Sequence, residues 1–233
     1  MIVPFTASPE QLPKRADVSL VRFRCHYAAY RQYPVLASFW VQQNPDASPG
    51  AFLCRIGSTV TLADLGGEKE ELLSLLQMLS PRVVFCSQSA AQRLGLSVET
   101  PCFVLKAPVF PGDSLEFSGS ALSLSRFLGR WLEVEDESAA AADISHRLRH
   151  GCASAILRPD GAGLVYFDRE FRYLTALGIP ADKRHQGIGR ELCRLLSRGT
   201  QSTILVCCSR ENIGFYEKCG FSLCSEAAYC AVP

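Results

Sequence analysis

The sequence predicts an α/β protein, because strand-like and helix-like segments alternate in the order β-β-β-α-β-α-β and this order occurs twice. The chain has 233 residues, of which 48% are hydrophobic and 20% charged. This composition supports a buried core, and the length allows one large domain or two small ones. A Pro/Gly/Ser-containing stretch at residues 107–120 separates the two halves. We therefore expect domains at residues 1–108 and 113–233.

The first half opens with three strand-like segments. Its predicted strands are residues 35–42, 51–56, 59–63, 82–87 and 102–106. Residues 69–79 predict an amphipathic helix, whose apolar face holds Leu72, Leu75, Leu76 and Leu79. A second, shorter helix at residues 89–94 is predicted to end at Gly95.

The second half repeats this order after a region of helical spacing at residues 122–149, which is interrupted near Gly129. Its predicted strands are residues 152–157, 163–168, 171–179, 203–208 and, as one strand or two, 222–232. Leucines at i, i+3 and i+4 predict a helix at residues 190–197. A short helix at residues 212–218 is expected to stop at Gly220.

The formal net charge of +1 argues against a nucleic-acid or anionic-membrane binder, since both need a basic excess. No apolar run reaches the ~18 residues that a membrane span requires. The 11 cysteines are odd in number, form no CxxC pair and follow no signal peptide. We therefore predict thiols that act as core hydrophobes in a reducing cytoplasm, and neither a disulfide scaffold nor a zinc site.

The segment with the richest chemistry is Arg184-His185-Gln186-Gly187-Ile188-Gly189-Arg190, which follows a strand and opens a helix. Its two glycines allow close approach to the main chain, and the helix N-terminus offers N–H donors that suit a pyrophosphate. No GxxxxGK[ST] string occurs, and Leu192 stands where a Rossmann fingerprint needs a third glycine. A solvated helix start is the alternative interpretation.

A second motif follows about thirty residues later, in Asn212-Ile213-Gly214-Phe215-Tyr216-Glu217-Lys218-Cys219-Gly220-Phe221. With the RxxGxG turn before it, the chain from residue 115 onward resembles the GNAT superfamily of acetyl-CoA-dependent N-acyltransferases. The C-terminal string is similar to that of eukaryotic glucosamine-phosphate N-acetyltransferases, but the rest of the chain does not support that enzyme. The resemblance implies a mixed, mostly antiparallel central sheet flanked by helices.

The resemblance also implies which residues bind acetyl-CoA as co-substrate. The main chain of Leu177, Gly178 and Ile179 would hydrogen-bond the pantetheine arm. The amides of His185, Gln186, Gly187, Ile188, Gly189 and Arg190 would hold the pyrophosphate, with Arg184 in the family's Q/R position. Asn212 would touch the pantetheine and Phe215 would pack near the cofactor. Tyr216 matches the general acid that protonates the departing thiolate. The alternative for both aromatic residues is a purely structural place in the core.

The general base and the acceptor are not identified by the sequence. Thr175 stands near the position where family members often carry a carboxylate, and a threonine cannot act as a base at neutral pH. Asp168 and Glu170 could act through water or be solvated edge charges. His146 and His150 have i, i+4 spacing but no evident third ligand, so no metal site is predicted.

The first half is interpreted as a degenerate GNAT-like copy. Its counterpart of the phosphate turn carries Glu68, Glu70 and Glu71 at a helix start, which stabilise the helix dipole and would repel a pyrophosphate. We expect no cofactor there. The predicted function is transfer of an acetyl group from acetyl-CoA to a primary amine of a small molecule or peptide by direct attack. The alternatives are a non-catalytic acyl-CoA-binding sensor and a purely structural protein, and the oligomeric state stays open.

Overall fold

The computed structural model describes residues 1–113, 115–130 and 136–232. The strands in these residues are β1 (Ile2–Pro4), β2 (Ala37–Gln43), β3 (Pro49–Ile56), β4 (Thr59–Asp64), β5 (Val83–Ser87), β6 (Ser97–Pro108), β7 (Phe110–Pro111), β8 (Ala153–Arg158), β9 (Gly161–Phe167), β10 (Phe171–Gly178), β11 (Arg198–Gly199), β12 (Thr203–Cys208) and β13 (Ser222–Ala231). The α-helices are α1 (Val18–Tyr30), α2 (Lys69–Leu79), α3 (Gln88–Leu94), α4 (Ala121–Gly129), α5 (Glu137–Arg149), α6 (Ile188–Leu196) and α7 (Ile213–Lys218).

The chain folds into two compact units. Unit 1 consists of Met1–Leu105, Cys207–Ile213 and residues 223–232. Unit 2 consists of the described residues of Lys106–Val206 and of Gly214–Ser222. The last strand therefore lies in unit 1, although it follows unit 2 in the chain. The division into domains at residues 1–108 and 113–233 stays a prediction.

The sheet of unit 1 has the strand order β1-β2-β3-β4-β5-β13-β6. Strands β2, β3 and β4 are antiparallel, β4 and β5 are parallel, and β13 is antiparallel to β5. Helix α2 closes the crossover from β4 to β5 and buries Leu72, Leu75 and Leu76 in the core, as predicted. Ser87 caps the start of α3, and Gly95 ends it in the left-handed conformation with φ 72°.

The sheet of unit 2 has the strand order β12-β10-β9-β8. Strands β8, β9 and β10 are antiparallel, and β10 is parallel to β12. Helix α6 closes this crossover and buries Leu192, Cys193 and Leu196. The predicted β-β-β-α-β-α-β order is therefore confirmed for both halves. In each half three antiparallel strands are followed by a crossover helix and a parallel strand.

Several element boundaries differ from the prediction. Strand β2 begins at Ala37, because Val35 and Leu36 are 95% and 53% exposed and belong to the preceding turn. Strand β6 extends in both directions beyond residues 102–106. The stretch at residues 107–120 is not only a linker, since it contains β7, which pairs with β11. The C-terminal segment forms a single strand.

Helix α1 is absent from the prediction. Asp17 caps it by accepting the N–H of Leu20 at 2.9 Å. Ten of its thirteen residues are buried, so no apolar stripe marks one face.

All 11 cysteines are free thiols, and seven of them are buried, namely Cys25, Cys54, Cys86, Cys102, Cys152, Cys193 and Cys230. They pack as small apolar side chains. Among the described residues, no helix combines the length and the apolar character needed to cross a membrane.

Candidate active site

The pairing of β10 changes towards its C-terminal end. On one side it pairs with β9 from Arg172 to Gly178. On the other side its parallel pairing with β12 ends at Leu174↔Val206, four residues before β10 itself ends. The main chain of residues 175–178 is therefore not paired with β12. Leu177 and Gly178, which were predicted to bind pantetheine, lie in this segment, and Ile179 follows it directly.

A β-bulge marks the point where this segment begins. The register between β10 and β9 shifts between Leu174 and Ala176. The intervening Thr175 is exposed, and its hydroxyl donates to the carbonyl of Tyr173 at 3.3 Å. A bulge bends the strand and increases its twist, which turns the end of β10 away from a regular ladder.

A short 3₁₀ turn at Ala181–Lys183 connects β10 to α6, and two side-chain hydrogen bonds hold the loop that follows it. Arg184 donates from Nε to the carbonyl of Ile179 at 3.2 Å. Gln186 donates from Nε2 to the carbonyl of Asp182 at 3.1 Å. Arg184 therefore contacts the main chain just after β10, and it is exposed.

The start of α6 has an unusual backbone. His185 and Gly187 have φ values of 63° and 83°, in the left-handed region that glycine adopts readily and that few other residues adopt. Gly187 is the N-cap residue, and no side chain caps the helix. The first turn of an α-helix carries N–H groups without helical partners, and here they lie among residues that are exposed or half-buried. This arrangement suits an anion.

Helix α7 contacts this turn through an aromatic ring. The ring of Phe215 lies 3.2 Å from the position that a Cβ on Gly189 would take, and Ile179 lies 3.5 Å from the same position. A side chain at position 189 would therefore press on the Phe215 ring. Three of the predicted cofactor residues, Ile179, Gly189 and Phe215, are thus brought together.

Tyr216 is the predicted general acid and is only 8% exposed. Its ring packs edge-on against Phe215 at 4.9 Å and against Phe221 at 5.7 Å between centroids. Asn212 lies in unit 1, in the 3₁₀ turn before α7, and donates from Nδ2 to the hydroxyl of Ser209 at 3.0 Å. Its contact with pantetheine stays a prediction.

Of the two candidate bases from the sequence, Asp168 has a structural role, and the role of Glu170 stays a prediction. The Oδ1 atom of Asp168 accepts the N–H groups of Glu170 and Phe171, at 2.9 and 2.8 Å, and so closes the turn before β10. The rings of His146 and His150 lie 4.4 Å apart on α5. In the described part of the chain, no three His, Cys, Asp or Glu side chains are placed to hold a metal ion.

Two cysteines form a thiol pair beside α6. A hydrogen bond with Cys219, together with burial, raises the pKa of Cys193. The hydrogen bond from Cys193 lowers the pKa of Cys219, and the positive charge of Arg190 acts in the same direction against the effect of burial. At the end of β12, burial raises the pKa of Cys208 to about 11.

In unit 1, the start of the crossover helix α2 corresponds to the start of α6, and side chains of unit 1 already bind its N–H groups. The carboxylate of Glu68 caps α2 and accepts the N–H groups of Glu70 and Glu71 at 2.9 and 2.6 Å. These N–H groups are the equivalents of those that start α6. Arg93 of α3 binds both carboxylate oxygens of Asp64 at 2.7 Å and the carbonyl of Gly67 at 2.8 Å, so it crosses the end of β4.

Comparison with known proteins gives similarity at the level of structure. No protein-family model matches the sequence, and no curated protein matches it. A GNAT-family acetyltransferase from Colwellia psychrerythraea is 11% identical, with both chains covered fully and a TM-score of 0.52. A tandem GNAT protein from the clavulanic acid biosynthesis pathway is 10% identical, over 99% of this chain and 97% of that one, with a TM-score of 0.56.

A third similar structure is a GCN5-related N-acetyltransferase from Kribbella flavida, which is 13% identical over 90% of this chain and 95% of that one, with a TM-score of 0.55. Sequence identities this low show a shared fold and do not show a shared function. The RxxGxG turn and the FYEKxGF string indicated a resemblance to GNAT proteins. The solved structures confirm this resemblance for the fold. The chain has the GNAT fold.

Proposed function

We propose that unit 2 binds acetyl-CoA and transfers its acetyl group to a primary amine of a small molecule or peptide. The observation that carries this proposal is the end of β10, which pairs with β9 but not with β12, next to the uncapped start of α6. An extended main chain can hydrogen-bond the amide groups of pantetheine, and a helix start can hold the pyrophosphate that follows them. One molecule of acetyl-CoA presents both groups in this order.

The cofactor residues in this proposal act mainly through their main chain. Leu177, Gly178 and Ile179 bind the pantetheine arm, and the amides of residues 185–190 hold the pyrophosphate. Arg184 adds a positive charge at the turn, whereas Lys183 is partly neutralised by Asp182 at 3.7 Å. Phe215 packs beneath the cofactor, against Gly189.

The reaction in this proposal is a direct attack. The amine nitrogen forms a bond with the thioester carbon, the carbonyl oxygen becomes an oxyanion, and a main-chain N–H of β10 stabilises it. The C–S bond then breaks, and the thiolate takes a proton from the hydroxyl of Tyr216. The amine loses a proton to water, and solvent returns one proton to the Tyr216 phenolate, so the enzyme ends the cycle as it began. Water takes the proton of the amine because Thr175 is not a base and Asp168 closes a turn. Glu170 is the carboxylate that could accept the proton from this water.

The missing carboxylate near the bulge favours a second candidate function, in which the chain binds acyl-CoA without turning it over. Both candidates require the same cofactor site. They differ in whether free CoA is released when amines are added.

We also propose that unit 1 binds no cofactor. Glu68 already occupies the N–H groups that a pyrophosphate would need, and the pair of Arg93 and Asp64 crosses the end of β4. Calorimetric titration of the full chain should therefore give one acetyl-CoA per chain. Two sites per chain would contradict this part of the proposal.

The proposal is tested by calorimetry with acetyl-CoA, followed by a thiol-release assay over a panel of small amines and peptides. Arg184→Ala should weaken binding, and Arg149→Ala, at an exposed arginine on α5 with the same change of charge, should not. Binding without release on any amine would favour the sensor, and no binding would contradict both functions.

A further inference from the structure

The structure contains a second basic concavity in unit 2, apart from the turn at residues 184–190. It is a groove of about 420 Å³ between α4 and the end of β8. Arg126, Phe127 and Arg130 line it from the α4 side, and Arg158 lines it from the strand side. Of the described residues that line it, none is acidic. No residue of the predicted pyrophosphate turn contributes to it.

The charge of the groove is only partly compensated. Arg126 pairs with Glu137 at 3.4 Å, and these side chains are 64% and 53% exposed. Arg158 pairs with Glu191 at 2.9 Å, and these side chains are 38% and 49% exposed. Ion pairs with this exposure are worth little, so a bound anion can replace either glutamate as the partner of its arginine.

The third arginine contacts an aromatic ring. The guanidinium of Arg130 lies 5.6 Å from the centroid of the Phe127 ring. A guanidinium beside an aromatic ring can still donate hydrogen bonds to a ligand from its edge. The same ring gives the groove an apolar wall. Three planar guanidinium groups around the Phe127 ring suit a phosphate monoester, because each guanidinium can donate two parallel hydrogen bonds to phosphate oxygens.

We propose that this groove binds a small phosphorylated molecule other than the acyl-CoA. Its volume falls in the range of small-molecule sites, and its three guanidinium groups exceed the charge of about −2 on a phosphate monoester, so they can neutralise it. This inference goes beyond the proposed acyl transfer and does not depend on it. The phosphate lies between Arg126, Arg130 and Arg158, and the carbon portion of the ligand packs on Phe127.

The test is calorimetric titration of the full chain with phosphoethanolamine and with ethanolamine, which differ only in the phosphate. Phosphoethanolamine should bind at least about tenfold more tightly, and each of Arg126→Gln, Arg130→Gln and Arg158→Gln should weaken it about tenfold. Arg149→Gln serves as the control and should leave the affinity unchanged. Thermal unfolding of each variant checks that the fold is retained.

Competition with CoA and with 3′-dephospho-CoA identifies the site. Saturating CoA should leave the affinity for phosphoethanolamine unchanged. Equal binding of the two amines, or unchanged binding in the three groove variants, would overturn the proposal. Displacement by CoA but not by 3′-dephospho-CoA would overturn it as well, because the groove would then belong to the nucleotide of the cofactor.

Discussion

The ring of Phe215 on α7 lies 3.2 Å from the place where a Cβ on Gly189 would stand. This contact joins the helix that follows β12 to the first turn of α6. It means that the residue at position 189 affects two features at once, the packing of the ring and the exposure of the N–H groups at the helix start.

We expect Gly189→Val to weaken acetyl-CoA binding by at least about tenfold and to lower the stability of the fold by about 1–3 kcal/mol. The added methyl groups meet the Phe215 ring, which must move over the site. Calorimetry and thermal unfolding measure the two effects. The matched control is Gly214→Ala on α7, where an added Cβ meets nothing within 4 Å. This control should raise stability by up to about 1 kcal/mol. An unchanged affinity in Gly189→Val would show that the turn does not contact the cofactor.

Tyr216→Phe should reduce turnover by about 10²–10³-fold and leave acetyl-CoA affinity nearly unchanged. The phenylalanine keeps the ring contacts with Phe215 and Phe221, so the effect on stability should stay near 1 kcal/mol. The variant loses the hydroxyl that donates a proton to the departing thiolate. Single-turnover release of CoA, compared across thioesters with different thiol pKa values, checks this role.

The difference in rate between the parent chain and Tyr216→Phe should be largest for thioesters of thiols with a high pKa. These thiolates are poor leaving groups and depend most on protonation. A matched control is Phe221→Leu, which perturbs the same packing without removing the hydroxyl. If Phe221→Leu and Tyr216→Phe reduced turnover equally, the role of Tyr216 would be structural.

The sequence was sufficient to predict elements whose signal is local. Helix α2 is an example, because a single apolar stripe and an acidic first turn determine its extent. Helix α1 could not be predicted in this way, since Arg24 and Ser19 are buried along with its apolar residues. Arg24 donates to the carbonyl of Leu12, a partner that depends on tertiary structure.

In the candidate site, too, the sequence predicts what has a local signal and misses what depends on tertiary structure. Residues 184–190 could be identified because glycine and arginine at a helix start have a recognisable chemistry. The groove around Phe127 was missed, although Arg126 and Arg130 have the i, i+4 spacing that places them on one helix face. Its third arginine, Arg158, comes from a strand, and no local pattern links it to α4.

In unit 1, we expect Arg93→Ala to lower the free energy of unfolding by about 1–3 kcal/mol. The change removes two hydrogen bonds to Asp64, whose side chain is only 6% exposed, and leaves that carboxylate without its cation. Denaturant unfolding measures the loss. Arg15→Ala, at an exposed arginine, is the control and should stay within about 0.5 kcal/mol of the parent chain. A loss as small as that of the control would mean that the ion pair does not close the end of β4.

The thiol of Cys219 should be alkylated at lower pH than an ordinary cysteine. The hydrogen bond from Cys193 lowers the pKa of Cys219, and Arg190 adds to this effect. Thiolate is the reactive form, so the rate with iodoacetamide should rise at a pH below the usual range for a thiol. Because the folded pKa lies below the unfolded one, the stability that this thiolate contributes is present above the unfolded pKa and is lost as pH falls through the folded pKa.

Cys193→Ala removes the donor and should move the alkylation midpoint of Cys219 upward, whereas Cys152→Ala, at a buried thiol on another part of unit 2, should not. Peptide mass spectrometry over a series of pH values follows each site separately. Reaction at Cys219 also adds a substituent beside the start of α6, so acetyl-CoA should protect this thiol if the turn holds the pyrophosphate. An alkylation midpoint that is the same in the parent chain and in Cys193→Ala would rule out the thiol pair as the cause of the lowered pKa.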